Sequence, residues 1–349
     1  MINNSFFSAE ILRWFRENGR DLPWRETRDP YAIWLSEIIL QQTRIAQGWE
    51  YWERFMQTYP KVEDLAAASE DDVLKLWQGL GYYSRARNLH TAAKQIVALG
   101  AFPNTLEGIK SLKGVGDYTA AAIGSFAFDI PAAVVDGNVY RVLSRYFGID
   151  TPINSTQGKK EFAALAQSLL PASDAASYNQ GMMDFGAIQC TPQSPKCLLC
   201  PLAETCEALR CGRVEELPVK NKTVKVKTRH LSYIYIRCKS SAADGAGNSE
   251  PMVAIHRRGE GDIWQGLWEP YNVSDVKELP SFVKNPILLA KDVKHVLTHR
   301  ILLADFYLLE TESRPPLPDD YIWIKESEIE DYGVPRLIEI LLEKINPVE

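Results

Sequence analysis

The chain has 349 residues, 46% hydrophobic and 24% charged, with a formal net charge of −6. That length is more than one core of usual size needs, so two domains are expected. The acidic balance excludes a protein that coats nucleic acid by bulk positive charge, but not a local basic groove or a phosphate site built from backbone amides. No stretch of 18 apolar residues occurs, and Met1-Ile-Asn-Asn4 has no basic and apolar leader pattern. No membrane partner is therefore expected, and a cytoplasmic location is, nucleoid-associated in a bacterium, with thiols kept reduced.

Up to about Arg210 the sequence predicts amphipathic helices, with Pro30, Pro60, Pro103, Pro131 and Pro171 as stops and no strand alternation. In the second helix, Glu37 shares a face with Ile33, Trp34 and Leu40. Desolvation there raises a carboxyl pKa, which leaves two readings open: an acid kept protonated, or a structural glutamate bonded to a neighbouring helix. Leu112-Lys113-Gly114-Val115-Gly116-Asp-Tyr-Thr119 lies between helical stretches 105–112 and 117–128, the pattern of a helix-hairpin-helix. Its glycines permit a tight turn whose amides and helix dipole favour a phosphate oxygen; an ordinary helical turn with a glycine cap also fits. Asp136, ahead of Gly137-Asn138 and a helical run to Tyr146, reads on its own as an N-cap.

Cys190, Cys197, Cys200 and Cys206 follow the spacing Cys-x(6)-Cys-x(2)-Cys-x(5)-Cys within 17 residues. Four thiolates so close suit a metal centre, and one short knuckle with two longer arms favours an iron-sulfur cluster over zinc, whose sites pair two knuckles. From Leu217 the texture changes to a basic extended connector, then to an alternating strand, Leu231–Arg237. A Ser/Ala/Gly/Asn loop at 240–249 leads to the strand Met252–His256, and Pro335–Lys344 reads as a closing helix. The expected division is a helical domain over 1–215 with its cluster loop at 190–206, a connector over 216–229, and an α+β domain over 230–349.

These segments are jointly specific. Leu22-Pro-Trp24-Arg25, Trp34-Leu-Ser-Glu37-Ile-Ile-Leu-Gln-Gln42-Thr43, Gly79-Leu-Gly-Tyr82-Tyr-Ser-Arg-Ala-Arg87, the hairpin, Val134-Val-Asp136-Gly-Asn138-Val-Tyr-Arg141 and Asn179-Gln-Gly-Met-Met-Asp184-Phe-Gly-Ala187 resemble the MutY-type adenine DNA glycosylases of the endonuclease III superfamily. The resemblance, which covers nearly the whole chain, implies an all-α helix-hairpin-helix glycosylase domain with a 4Fe-4S cluster and a C-terminal Nudix-like domain. It implies a monomer that acts in base excision repair on double-stranded DNA, flipping out adenine mispaired with 8-oxoguanine or guanine. Glu37 is then the acid delivering a proton to adenine N7, and Asp136 the anion facing the sugar, with Tyr118 and Asn138 assisting. Trp24, Arg25 and Asp184 would line the base pocket. Gln42 and Tyr82 would fill the gap left by the flipped base; on their own, Gln42 reads as a surface helix residue and Tyr82 as half of a core pair with Tyr83. Lys113, Gly114, Val115 and Gly116 would hold phosphate, Lys196 is a further phosphate candidate, and Cys190, Cys197, Cys200 and Cys206 would hold the cluster.

Tyr118 stands where lyase-competent relatives carry a lysine, so the backbone should remain uncut. In the C-terminal half, Met252–Gly259 and Trp264–Pro270 resemble a Nudix-like reader, and no Glu-dense helix follows for pyrophosphate chemistry. The family's Phe-Ser-His reading loop is here Leu297-Thr298-His299, which keeps the hydroxyl and imidazole and loses the aromatic ring; His295 competes with His299. Two other readings are a bifunctional pyrimidine glycosylase and a non-catalytic lesion binder.

Overall fold

The computed structural model describes residues 4–221, 226–239, 250–273 and 280–345. Residues 222–225 of the expected connector and the expected loop at 240–249 lie outside these. Contacts divide the chain into two compact units, Met1–Ala66 with Thr91–Lys222 and Ala67–His90 with Thr223–Glu349. Sequence alone suggests one continuous helical domain; instead, 24 of its residues (67 to 90) group with the C-terminal half. Hydrogen bonds hold them there: Gln78 to Glu339 Oε1 at 2.5 Å, Arg87 to the Gln265 carbonyl at 2.5 Å, and Arg257 to Glu70 at 2.9 Å.

The first unit is helical. It holds α1 (Asn4–Asn18), α2 (Pro30–Ile39), α3 (Ile45–Thr58), α4 (Val62–Ala67), and, past α5 (Glu70–Leu76) of the second unit, most of α6 (Ser84–Leu99). It continues with α7 (Leu106–Lys110), α8 (Asp117–Phe128), α9 (Gly137–Phe147), α10 (Thr156–Leu169), α11 (Ala175–Asp184) and α12 (Glu207–Arg210). Pro30 starts α2 instead of stopping a helix: Asp29 caps the Tyr31 amide at 3.0 Å and the proline takes the first position, where no amide hydrogen bond is lost. Every residue of α2 from Tyr31 to Ile39 is buried, so Glu37, its one charged residue, is held in an apolar helix. One core gathers Phe7, Ile11 and Trp14 of α1 with Val142, Leu143 and Tyr146 of α9, Phe162 of α10 and Met182 of α11.

Among the described residues of the second unit, seven strands form one sheet: β1 (Lys227–Cys238), β2 (Met252–Arg257), β3 (Trp268–Glu269), β4 (Tyr271–Val273), β5 (Ile287–Leu297), β6 (Arg300–Thr311) and β7 (Tyr321–Lys325). The main path is β3-β2-β1-β6-β5, with β4 on β1 and β7 on β2. Among the described residues only β1 and β6 are parallel, in register from Lys227↔Arg300 to Cys238↔Thr311. That ladder takes Lys227–Arg229 out of the expected connector and into the sheet. Alternation along β1 sends Tyr233 and Tyr235 to one face, under Leu337, Ile338 and Leu341 of the closing helix α13 (Arg336–Ile345), and Ile234 and Ile236 to the other.

Candidate active site and iron-sulfur centre

A cavity of about 690 Å³ in the first unit is lined by Arg20, Trp24, Arg25, Ser36, Glu37, Gln42, Tyr118, Asp136, Asn138 and Gln180 among others. Glu37 enters it from α2 and is 6% exposed. Burial pushes its pKa up to about 7, the nearby Asp136 charge adds to the rise, and a hydrogen bond from the Tyr118 hydroxyl (2.9 Å to Oε2) opposes it. The apolar face read from the sequence is the physical cause. Asp136 is an N-cap, as its place ahead of the helix suggests, and a cavity residue as well. It caps α9, accepting from the Val139 amide at 2.7 Å, and lines the cavity, where Asn138 Nδ2 donates to its other oxygen at 2.8 Å. Burial raises its pKa too, against the pull of the Val139 amide, Asn138 and Arg141. The two carboxyls thus differ in kind: Glu37 sits in an apolar helix with one phenol, Asp136 at a helix N-terminus among several donors.

Trp24 is 7% exposed and meets Trp49 and Trp52 edge to face at 6.0 and 5.9 Å. Asp184 departs from expectation: it does not line the cavity. Its carboxylate, fully buried, accepts from the Arg20 amide (2.8 Å), the Arg20 side chain (2.5 and 2.9 Å) and the Arg25 fork (2.8 and 2.8 Å). These donors hold the Asp184 pKa below the ordinary value despite burial. It is the buried anchor of two cavity-lining guanidiniums, since an unpaired carboxylate at that depth is costly. Arg20 and Gln180 are cavity residues to which the sequence reading gave no role; Gln180 lies inside a quoted segment, and Arg20 just before one.

Gln42 is not a helix residue. It lies exposed in the turn after α2 with φ +58, a left-handed conformation unusual for a side-chain-bearing residue. In the hairpin, Gly114 supplies φ +80 between α7 and α8. The Lys113 amide donates to Gln95 Oε1 at 2.8 Å and the Val115 amide to Leu112 at 3.1 Å, so these two are spent inside the fold; Val115 is buried, and Gly114 and Gly116 are exposed.

Cys190, Cys197, Cys200 and Cys206 are free and half-buried around one small cavity, with Arg145 beside them. Among the described residues, no three His, Cys, Asp or Glu side chains stand together at the spacing of a single metal ion. Four thiols around one cavity are the donor set of an iron-sulfur cluster, whose irons bond to cysteine thiolates. Arg145, 3% exposed, donates to the carbonyls of Thr191 (2.7 Å), Pro192 (3.0 Å) and Leu217 (3.1 Å) and approaches Cys190 Sγ at 3.4 Å. Arg141 donates to the Cys190 carbonyl (2.8 Å), the Gly186 carbonyl (2.6 Å) and Asn138 Oδ1 (2.8 Å), so Cys190 connects to Asp136 through two side chains. Gly186 faces Asn138 so closely that a Cβ there would come within 2.5 Å of the Asn138 Cβ.

In the second unit, Leu297-Thr298-His299 forms the β5–β6 hairpin tip. Thr298 and His299 are exposed, while Leu297 packs on the sheet core. His295 instead lies against Trp264, ring centroids 5.9 Å apart, and burial and then Arg336 lower its pKa. Tyr82 is 46% exposed rather than paired in the core; Tyr83 is the buried one. The Tyr82 and Thr298 hydroxyls are hydrogen-bonded. Arg229 of the expected connector is paired with Asp262 at 2.7 Å. Glu269, 2% exposed, is held by Arg258, His256 and Tyr233.

Residues 35–171 match the HhH-GPD superfamily of base excision DNA repair proteins, 190–206 the iron-sulfur binding domain of endonuclease III, and 247–344 the NUDIX domain. The chain is 39% identical to the adenine DNA glycosylase of Buchnera aphidicola (subsp. Acyrthosiphon pisum) over 353 residues, covering 97% of each. The chain belongs to the adenine DNA glycosylases. It is a base excision repair enzyme that acts on N-glycosyl bonds in DNA and carries a 4Fe-4S cluster. The mouse adenine DNA glycosylase is 43% identical over 226 residues, which span 61% of this chain and 44% of that protein. A thermostable thymine-DNA glycosylase of solved structure superposes with TM-score 0.56 at 34% identity, over 60% of this chain and 97% of its own.

Proposed function

We propose that this glycosylase removes adenine mispaired with 8-oxoguanine, and more weakly with guanine, from double-stranded DNA, as a monomer, and leaves the DNA backbone intact. The observation that carries the reading is the pair of unlike carboxyls in one cavity, Glu37 with its pKa near 7 and Asp136 among hydrogen-bond donors. The flipped adenine enters beside Trp24 and the guanidiniums of Arg20 and Arg25. Protonated Glu37 gives its proton to N7, and the bonding pair of the C1′–N9 bond leaves with the base. Asp136, ionised, stabilises the positive charge left on the sugar, and a water then adds at C1′ and returns a proton to Glu37.

No lysine occurs among the residues lining the cavity, which supports hydrolysis without a Schiff base. The cluster supplies structural support when bound: Cys190, Cys197, Cys200 and Cys206 would hold it, and Arg145 and Arg141 tie its loop to the helix that starts at Asp136. Single-turnover adenine release from duplexes with adenine opposite 8-oxoguanine, guanine and thymine tests the preference. The expected order is 8-oxoguanine, then guanine, with thymine unreactive; equal rates for all three would refute it.

A further inference from the structure

The Asp136 carboxylate is delivered to the cavity by residues 129–136, which run from α8 to α9 without helix or strand. Side chains along this segment alternate. Ala132 and Val134 pack with Ala121 and Ala122 of α8, whereas Ala133 and Val135 pack on the core shared by α1, α9, α10 and α11. The segment is thus an extended chain inside a helical unit, with no strand beside it among the described residues. Its buried peptide groups need partners all the same. Two side-chain amides stand where neighbouring strands would. On one edge, Gln167 of α10 donates to the Pro131 carbonyl at 3.0 Å and accepts from the Ala133 amide at 3.0 Å. On the other, Asn179 of α11 donates to the Ala132 carbonyl at 2.8 Å and accepts from the Val134 amide at 3.1 Å.

The two clamps are not equivalent. Gln167 is exposed, so water can take its place. Asn179 is 1% exposed, and its amide nitrogen also donates to Ser125 Oγ of α8 at 2.9 Å, on a residue that is itself fully buried. A peptide N–H only donates and a carbonyl only accepts, so these partners fix which way the Asn179 amide faces. Helix α8 also carries Tyr118, whose hydroxyl bonds Glu37. Asn179 therefore joins the chain that ends at Asp136 to the helix that holds Glu37. We propose that Asn179 is a positioning residue that sets the separation of the Glu37 and Asp136 carboxyls through its bonds to Ala132, Val134 and Ser125. The inference rests on the reading that these two carboxyls share the reaction as acid and anion.

The test is single-turnover adenine release by the full-length holoenzyme from a duplex with adenine opposite 8-oxoguanine, followed against enzyme concentration and against pH. Asn179→Ala removes all three bonds. Ser125→Ala, a smaller change, cuts only the tie to α8 and stands in should Asn179→Ala not fold. Burial and then the Asp136 charge raise the Glu37 pKa, while the Tyr118 hydroxyl and Arg25 lower it. Once released, the two like charges move apart, so the alkaline limb of the rate should move to lower pH. The saturating rate should fall about tenfold or more for Asn179→Ala and about threefold for Ser125→Ala. The half-saturating enzyme concentration should stay within about twofold of wild type, since neither residue lines the cavity. A rate and a limb equal to wild type overturn the proposal. A slower rate with an unmoved limb overturns it too, and makes Asn179 a structural residue only. A wild-type rate that does not fall as pH rises through about 7 overturns the reading of Glu37 as the acid, and the proposal with it.

Discussion

The Tyr118 hydroxyl donates to Glu37 Oε2 at 2.9 Å inside an apolar helix environment, and so holds down the pKa of the carboxyl that burial pushes up to about 7. The general acid must be protonated to act, so adenine release should fall as pH rises through about 7. Tyr118→Phe removes a donor to the carboxylate, so the folded pKa rises further and the alkaline limb should move to higher pH while the maximal rate drops. A pH profile of single-turnover release for both proteins measures this; a limb that moves to lower pH contradicts it.

Glu37→Gln should abolish adenine release yet stabilise the fold at alkaline pH. The folded pKa of Glu37 lies above the unfolded value near 4.5, so the folded state binds the extra proton and wild type loses stability as pH rises between those values. Once both states are ionised, the loss is on the order of 3 kcal/mol. Glutamine does not ionise. Thermal melts should therefore show the variant more stable than wild type at pH 8 to 9, with the gap closing toward pH 4.5.

Asp184→Asn leaves the guanidiniums of Arg20 and Arg25 without their shared buried carboxylate. Breaking such a pair should cost on the order of 3 kcal/mol in denaturant unfolding. It should also slow adenine release, because Arg25 loses the partner that aims it along the cavity wall. A slow but normally stable variant would show that Asp184 does not anchor the arginines.

The local parts of this site are legible in the sequence. Four thiols in 17 residues, Glu37 among Ile33, Trp34 and Leu40, and Asp136 ahead of a helix all follow from spacing, and each has its partner within a few turns or on the cavity wall. Relationships across long separations are not. The Arg20–Asp184 bond joins residues 164 apart and the Tyr82–Thr298 bond residues 216 apart, and periodicity carries no information about which surfaces meet. The same limit hid the grouping of 67–90 with the sheet. Lys227–Arg229 read as connector because their charges suggest solvent, whereas their backbone hydrogen bonds to β6 decide the matter.

Gly186→Ala tests the close approach behind Asp136. The added methyl would meet the Asn138 Cβ at 2.5 Å and its backbone at 2.9 to 3.0 Å, atoms that cannot swing aside. Asn138, and with it the oxygen it holds on Asp136, should shift. Adenine release should slow by about tenfold or more, as expected for misplaced catalytic groups, while circular dichroism stays helical.

Arg145→Met keeps an unbranched stem in the buried site but leaves the carbonyls of Thr191, Pro192 and Leu217 without their donor. The cluster loop should loosen, seen as a lower iron content per chain and a melting transition several degrees lower. Retention of full iron content at wild-type melting temperature would contradict the bracing role.

The central claim, a glycosylase that breaks the N-glycosidic bond and nothing else, is tested most directly by single-turnover reaction with a duplex carrying adenine opposite 8-oxoguanine, each time point split and half of it heated in alkali. The account predicts free adenine with strand breaks only in the alkali-treated half. Breaks without alkali would reveal an amine acting at the sugar, and no adenine release would contradict the roles given to Glu37 and Asp136.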